Sequence, residues 1–534
     1  MRRRVTIIVA LAAAVGAGLA LAPAGHASVP VVQIDGRGFG HGVGMAQDGA
    51  LAMGRAGATT NQILGSFYPG TGLGRASGAV RVGVLAPAAG PVVLSFPNGG
   101  DVRDALDGEQ STGFPVAVPP GGQVAVQFDG TRYVVEDTSG SRASAASQPS
   151  ARLTVGAPSS PSTTAPKEAT TTTAPTAPIL PPATTSTTGP PSSTTTTTAV
   201  PPSPTPAAVP AGASSPRPLW AVPANGGTVT VVSRNRTYRG VLETLSAPGG
   251  TRLINQVDVE IYLRGMGEVR NPKWPPAALR AQAIAARTYA LRAMGTAGEL
   301  CDDQRCQVYL GAQAEYAAMN KAVSDTSRQV VVFGRGLAST VYSANGGGHS
   351  ATRQEGFGTD GGTYPYLRAA PYLTDDPAPW SVQVALSDVA ARFGYRGTIG
   401  NVTVGQAGPS GRALQVVLDG NAGARTVTGL SFAAGLGLRS SLFSVRVTTA
   451  DHAPAPPPPG GPLQGLPEQA AVADAPVAAA SVPETPSLPP LYSPPFHPPR
   501  TSPAGQRELA GLGLMLNVGA AGAVVGRRLR ATRA

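Results

Sequence analysis

The sequence GEVRNPKWP, residues 267–275, leads into LRAQAIAARTYAL, residues 279–291. Its glycine and prolines bound a turn that carries one carboxylate, Glu268, directly ahead of an alanine-rich segment. Proline at the first positions and regularly spaced alanine and leucine predict a helix over residues 275–294. A core segment has no need of a carboxylate fixed at such a turn. Glu268 is therefore the first candidate for a functional residue, and the competing interpretation is a carboxylate that only caps the helix start.

Short runs of β-type sequence surround this helix and are separated by glycine and proline turns. They lie at residues 80–85, 92–96, 124–128, 227–232, 238–243, 329–333, 339–343, 413–418 and 443–447. One long helix among many short strands predicts an α+β fold with a mixed or antiparallel sheet.

Residues 260–289 resemble the core signature of the SpoIID/LytB family, the sporulation stage II protein D and amidase-enhancer group of bacterial cell-wall proteins. That signature reads E-Y-L-x-G-V-x-x-E-M-x-x-x-W-P-x-E-A-L-K-A-Q-A-V-A-A-R-T-Y-A, and Glu268 stands at its second glutamate. Val269 replaces the usual methionine, and Ala277 replaces a further glutamate. The second departure removes an acid that would assist Glu268.

A glycine motif of the same family, G-x-G-x-G-H-G-V-G-M-S-Q-x-G-A, is matched by residues 36–50. In the family this element follows a G-L-x-S-x-x-F strand at the C-terminal side of the domain. Here that strand signal lies at residues 437–443, and the glycine motif stands far upstream. The resemblance therefore implies a circularly permuted SpoIID-like domain, in which residues 28–79 fold back onto a core at 217–448. Closing a long loop costs only a few kcal/mol.

The resemblance also implies a set of substrate-binding residues. A third tract, residues 342–350, resembles the family's Y-x-S-x-x-G-G-x-T loop, whose small polar residues suit hydrogen bonds to a sugar. Polar residues on the apolar helix need partners, which substrate or nearby loops could supply. The predicted binding residues are His41, Gln47, Gln282, Arg287, Tyr342, Ser343 and Ser350. The fold-back predicts that His41 meets Glu268 in one cleft; a buried structural histidine and a plain turn are the competing interpretations.

The number of carboxylates indicates the reaction. Ordinary glycosidases use two, whereas this tract offers one. A lytic transglycosylase needs only one, because the C6 hydroxyl of the muramic acid attacks the anomeric carbon. Glu268 would act first as acid and then as base, with a pKa raised by burial. The predicted activity is cleavage of the MurNAc–GlcNAc bond in peptidoglycan glycan strands, with no cofactor. The alternatives are a non-catalytic peptidoglycan binder that enhances an amidase, and a structural wall-spanning protein.

Cys301 and Cys306 are the only cysteines. In an exported protein, a pair this close is most simply a disulfide. The family resemblance adds a rival, because some members hold zinc at this loop with the help of a histidine. Zinc requires about four ligands, and no histidine lies beside the loop. The disulfide is favoured and no metal is predicted.

The two ends carry targeting signals. Residues 1–27 combine three arginines, an apolar run and small residues, which is typical of a secretory signal peptide. Residues 509–526 are uncharged and mostly apolar, and a basic tail follows at 527–534. This pattern predicts a C-terminal transmembrane anchor with a cytoplasmic tail; a helix lying on the membrane surface and a removed sorting tail are the alternatives. The protein is predicted to lie on the extracytoplasmic side, in the cell wall.

Composition divides the rest of the chain. Residues 157–216 are rich in threonine and proline and 449–508 in proline and alanine, so both are predicted to be disordered linkers. Residues 80–156 are predicted to form an appended small β module. The formal net charge is +11, but the two ends contribute seven positive charges. The basicity therefore reflects topology, and no nucleic-acid partner is predicted.

Overall fold

The computed structural model describes residues 28–105, 113–138, 213–359, 364–452 and 454–455. The predicted signal peptide, the C-terminal anchor and its basic tail lie outside these residues, as do almost all of both linkers. The strand Ala213–Ser215 occupies the last residues of the predicted first linker. Within the described residues no helix is both long and apolar enough to cross a bilayer.

The predicted α+β class with mixed and antiparallel sheets is confirmed. The described residues contain eight α-helices: Gln47–Arg55, Thr60–Phe67, Val259–Arg264, Pro276–Thr296, Ala317–Asp325, Arg353–Phe357, Leu386–Arg392 and Gly429–Gly435. Short 3-10 helices span Ala224–Gly226, Val232–Arg234 and Gly311–Ala314. Most strand pairs are antiparallel, and two are parallel.

Two large sheets hold most of the strands before the long helix. The seven-stranded sheet runs in the order Leu300–Cys301, Ala79–Ala88, Gly250–Asp258, Val241–Ala247, Leu219–Pro223, Gly100–Asp104 and Val116–Val118. The six-stranded sheet runs in the order Ala213–Ser215, Tyr133–Asp137, Gly122–Phe128, Val92–Phe96, Val229–Val231 and Arg236–Tyr238.

The strands of residues 79–137 do not form a sheet of their own, which differs from the predicted small β module at 80–156. Ala79–Ala88 lies between Gly250–Asp258 and Leu300–Cys301, and Gly100–Asp104 pairs with Leu219–Pro223. The alternate valines of Ala79–Ala88 are fully buried. A strand with one buried face and two edges needs neighbours on both sides, and here the later part of the chain supplies them.

Four smaller sheets complete the fold. Val29–Arg37 is the central strand between Pro379–Ala385 and Phe443–Ala450. Gln329–Phe333 pairs with Gly72–Arg75 and Gly336–Leu337. Met45–Ala46 runs parallel to Tyr342–Ser343. The last sheet consists of Ile399–Ala407, Ala413–Gly420 and Arg425–Thr428.

Residues 28–79 are thus built into the sheets of the later part of the chain. Three of their strands, at Val29–Arg37, Met45–Ala46 and Gly72–Arg75, take partners from residues 329–450. The side chains of Val31, Val32 and Ile34 are fully buried there. Residues 28–79 therefore share sheets with residues 329–450, and the circular permutation that the resemblance implies stays a prediction.

The alanine-rich helix Pro276–Thr296 begins and ends within two residues of the predicted bounds and lies in the larger of the two hydrophobic clusters. Small side chains let other segments approach its backbone closely. The Thr340 hydroxyl donates to the carbonyl of Ala285 at 2.8 Å, and the Val331 amide donates to the Thr288 hydroxyl at 2.9 Å. The helix therefore acts as a central support for the loops that carry the candidate site.

Candidate functional site

Glu268 lies on the loop between the helices Val259–Arg264 and Pro276–Thr296, and the segment 307–310 holds this loop. The Gly267 amide donates to the Val308 carbonyl at 2.8 Å, and the Leu310 amide donates to the Gly265 carbonyl at 2.9 Å. A β-carbon at Gly265 would lie 2.7 Å from the Tyr309 ring, so this close approach requires glycine. The backbone therefore fixes where the carboxylate emerges.

Glu268 is partly exposed as a residue, and its carboxyl has one hydrogen bond within the described residues. Its Oε1 accepts from the Val308 amide at 2.7 Å. Burial raises the pKa of Glu268 to about 7, and the Val308 hydrogen bond opposes this rise by favouring the charged form. No second carboxylate of the described residues contributes to this pKa. Near neutral pH the group can both release and accept a proton.

A row of polar side chains lies beside Glu268. Gln307 is fully buried; its amide oxygen accepts from the Tyr262 hydroxyl at 3.0 Å, and its amide nitrogen donates to the Tyr342 hydroxyl at 2.8 Å. Burial first, and then the negative charge of Glu268, raise the pKa of both tyrosines well above the usual range. Both hydroxyls therefore stay protonated next to the carboxyl.

Cys301 and Cys306 form a disulfide bond with a Cα–Cα distance of 5.5 Å. The closed loop ends directly before Gln307 and Val308, which contact Tyr342 and Glu268. In the described part of the chain no group of three or more histidine, cysteine, aspartate or glutamate side chains could hold a metal ion. The loop thus braces the segment that supports the carboxyl.

The similarity to known proteins covers the stretch around Glu268. The sequence model of the stage II sporulation protein SpoIID matches residues 247–333, which contain Glu268, the disulfide loop and Gln307. This stretch of the chain is therefore similar to the SpoIID/LytB family.

Two relatives match parts of the chain. An uncharacterised protein of Brachyspira hyodysenteriae is 29% identical over 181 residues, which cover 32% of this chain and 48% of that protein. The amidase enhancer of Bacillus subtilis is 31% identical over 112 residues, which cover 21% of this chain and 15% of that protein. The chain thus spans about half of the first relative and a small part of the second. No solved structure matches the chain.

The histidine of the glycine motif is buried. His41 is 4% exposed, its Nδ1 accepts from the Val43 amide at 3.0 Å, and its ring lies 4.7 Å from that of Phe357. Burial, and then the positive charge of Arg412, lower the pKa of His41 to about 3, so the ring is neutral. No hydrogen bond, ion pair or ring contact joins His41 to Glu268 within the described residues. His41 thus interacts with its own loop and with Phe357, and the cleft that it is expected to share with Glu268 stays a prediction.

Two other predicted residues do meet across the fold-back. The Gln47 amide nitrogen donates to the Gln282 amide oxygen at 3.3 Å, and both side chains are buried. The bond ties the glycine motif to the alanine-rich helix. Ser343 is also buried, in the short strand that pairs with Met45–Ala46. The motif therefore contacts the alanine-rich helix and the strand Tyr342–Ser343, and the predicted roles of Gln47, Gln282 and Ser343 in substrate binding stay predictions.

Arg287 and Ser350 are engaged elsewhere, in contrast to their predicted roles in substrate binding. Arg287 is fully buried and forms a two-pronged ion pair with Glu260, at 2.9 and 2.7 Å. The Ser350 hydroxyl donates to the Arg368 carbonyl at 2.9 Å and accepts from the Ala370 amide at 3.0 Å. Both side chains form hydrogen bonds within the protein, so few of their donors and acceptors remain for a ligand.

The Arg287–Glu260 pair yields a prediction for stability. Arg287→Met leaves Glu260 without its partner in a mostly buried place, so the free energy of unfolding should fall by about 3–5 kcal/mol. Urea denaturation measures it. Arg280→Met is the matched control, because the Arg280–Asp325 pair is more exposed and should be worth at most about 1 kcal/mol. Equal losses for the two variants would contradict a structural role for Arg287.

Sequence reasoning missed Gln307, Tyr262 and the Val308 amide. Gln307 follows Cys306 directly, and this position next to the disulfide is the only local signal for it. The contact between Val308 and Glu268 spans 40 residues of sequence. A partner so distant has no periodic or spacing signature, so only the folded chain shows it.

Proposed function

We propose that this chain is a peptidoglycan-active cell-wall protein, specifically a lytic transglycosylase that cleaves the MurNAc–GlcNAc bond with Glu268 as general acid and base. The observation that carries the proposal is a single carboxyl on a loop fixed by backbone hydrogen bonds, whose Oε1 accepts from the Val308 amide at 2.7 Å. Burial raises the pKa of this carboxyl to about 7. Similarity to the family supplies the substrate class. The permuted closure by residues 28–79 belongs to the same proposal, because their strands complete the sheets that hold the loop at 342–350.

The reaction needs one proton and returns it. Protonated Glu268 donates to the oxygen of the glycosidic bond as the bond to the anomeric carbon breaks. The ionised carboxylate then removes the proton from the C6 hydroxyl of the muramic acid as that oxygen bonds to the anomeric carbon. The product is a 1,6-anhydro sugar, no water is consumed, and Glu268 ends protonated. These steps do not require a second carboxylate, so they are compatible with alanine at position 277.

The surroundings of Glu268 fit both steps. Burial favours the protonated acid before cleavage, and the Val308 amide stabilises the carboxylate that forms afterwards. Tyr262 and Tyr342 stay neutral, so they offer hydroxyl groups and no competing charge. The surroundings of Glu268 therefore suit both its protonated and its ionised form.

This balance sets an expected pH dependence. Because cleavage begins with protonated Glu268, kcat/KM should be level below about pH 6 and fall about tenfold per unit above about pH 8. The decline should centre on the pKa of about 7. The measurement is the rate of soluble product release from denuded glycan strands between pH 5 and 9. A rate that is constant over this whole range would contradict the assignment of Glu268 as the acid.

The second candidate is a non-catalytic peptidoglycan binder that stimulates a cell-wall amidase. It is favoured by the similarity to the amidase enhancer of Bacillus subtilis and by Ala277 at the place of the family's second glutamate. An amidase assay with added wild-type or Glu268→Gln protein distinguishes the two functions. Equal stimulation by both proteins, without anhydro product from either, would support the enhancer.

An extracytoplasmic location is part of the proposal. The disulfide bond between Cys301 and Cys306 is the kind of crosslink that persists in oxidising compartments. The partners proposed are glycan strands and, for the second candidate, an amidase.

A further inference from the structure

The amide of Gln307 sits between two tyrosine hydroxyls beside Glu268. Its oxygen accepts from Tyr262 at 3.0 Å. Its nitrogen donates to Tyr342 at 2.8 Å and points a second hydrogen toward the Ala286 carbonyl at 3.4 Å. Gln307 and Tyr262 are fully buried, whereas Tyr342 is partly exposed. The row therefore leads from the core to the surface at the candidate site.

The Ala286 carbonyl determines the direction of these bonds. A backbone carbonyl can only accept, so the amide atom beside it must be the nitrogen of Gln307. The amide oxygen then faces Tyr262, which must donate to it. Tyr342 in turn receives a hydrogen from Gln307 and cannot return its own. Each bond in the row thus has one allowed polarity.

The hydrogen of the Tyr342 hydroxyl is left for another acceptor. Within the described residues this hydroxyl makes no hydrogen bond other than the one with Gln307. The bond of Glu268 is made with the Val308 amide. Tyr342 is partly exposed as a residue, and its hydroxyl is close enough to Glu268 for that carboxyl to help raise its pKa. Its hydrogen is therefore available to a ligand bound at Glu268.

We propose that Gln307 commits Tyr342 to donate a hydrogen bond to an acceptor oxygen of the amino-sugar glycan bound at Glu268. The identity of the ligand rests on the proposed function. Tyr342 contacts the substrate directly, and Gln307 is a positioning residue that acts through it. This role selects a ligand with a lone pair at this position.

The test is the affinity of the full chain for oligosaccharides of denuded glycan, measured by calorimetry with Glu268→Gln present to prevent turnover. Tyr342→Phe should weaken binding about tenfold, since it removes one hydrogen bond to the ligand. Gln307→Glu keeps the shape, but the introduced carboxylate accepts from both tyrosines and turns the Tyr342 hydrogen away. It should weaken binding by a similar factor.

Two further readouts separate this role from a purely structural one. The double variant should bind no more weakly than either single variant, because both changes remove the same bond. The loss caused by Gln307→Glu should grow as pH rises and the introduced carboxyl ionises, since the protonated carboxyl can still donate to Tyr342. The loss caused by Tyr342→Phe should not change with pH.

Tyr395→Phe is the matched control. It removes a hydroxyl that donates to the Gly423 carbonyl at 2.6 Å, in the smaller hydrophobic cluster, and should leave the affinity unchanged. Thermal melting checks the folding of each variant, and Tyr342→Phe alone suffices if Gln307→Glu does not fold. Affinity within twofold of the parent for Tyr342→Phe, or additive losses, would overturn the inference. Tight glycan binding without anhydro product from the wild type would overturn only the proposed reaction.

Discussion

Glu268→Gln should lower the rate of product release from denuded glycan strands by about 10²- to 10⁴-fold, the range that a positioned general acid and base contributes. Glutamine has the size of glutamate and can still approach the Val308 amide, but it cannot donate and recover a proton. Binding of the glycan should persist, because the surrounding side chains are unchanged. The measurement is the initial rate under single-turnover conditions, with thermal melting to confirm the fold.

Glu299→Gln is the control for this experiment. Glu299 also carries a partly buried carboxylate, but it pairs with Arg252 at 2.9 Å. Within the described residues no hydrogen bond joins it to the Glu268 loop. Its removal should leave the rate within about twofold, in keeping with the small worth of partly exposed ion pairs. Equal losses from the two variants would show that Glu268 acts through stability and not through chemistry.

The second large effect concerns the fold-back. Deletion of residues 28–79 should abolish cooperative unfolding of the rest of the chain. The deletion removes the central strand Val29–Arg37 and the fully buried side chains of Val31, Val32 and Ile34. Each such side chain contributes about 1.5–3 kcal/mol, and the hydrogen bonds of two neighbouring strands are lost as well. The sum is comparable to the whole stability of a typical domain, about 5–15 kcal/mol.

Cleavage of the linker offers the complementary test. A protease site inserted between residues 157 and 212 should be cut without release of either fragment, because strands on both sides of it share sheets. The two fragments should co-elute in gel filtration and keep the melting temperature of the intact chain. Separation of the fragments under native conditions would contradict the shared sheets.

The local parts of this structure were predictable from the sequence. The Glu268 turn, the start of the alanine-rich helix and the α+β class follow from proline placement, alanine spacing and short β-type runs. The disulfide was favoured for the same reason, since five residues separate its cysteines. These features depend on neighbours in sequence, which a single chain displays.

Features that depend on distant pairing were predicted less well. In sequence, a polar residue on an apolar helix has the same appearance whether its partner is a ligand or another side chain. The sequence therefore predicts a substrate contact for Arg287, whereas in the structure Arg287 pairs with Glu260. Likewise, the alternating valines of Ala79–Ala88 predict a strand but not which strands pair with it. The sequence alone therefore suggests a separate module, whereas the strand pairs with Gly250–Asp258 and Leu300–Cys301. His41 shows the same ambiguity, because glycines on both sides suit a ligand loop and a buried ring equally.

The central claim is that Glu268 deprotonates the C6 hydroxyl of the substrate, so that this oxygen, and not that of water, attacks the anomeric carbon. The most direct test is digestion of denuded glycan strands in water enriched in ¹⁸O, followed by mass spectrometry of the products. We expect anhydro sugars that are lighter than hydrolysis products by one water and carry no ¹⁸O. Products with a labelled reducing end would contradict the claim and identify the protein as a hydrolase.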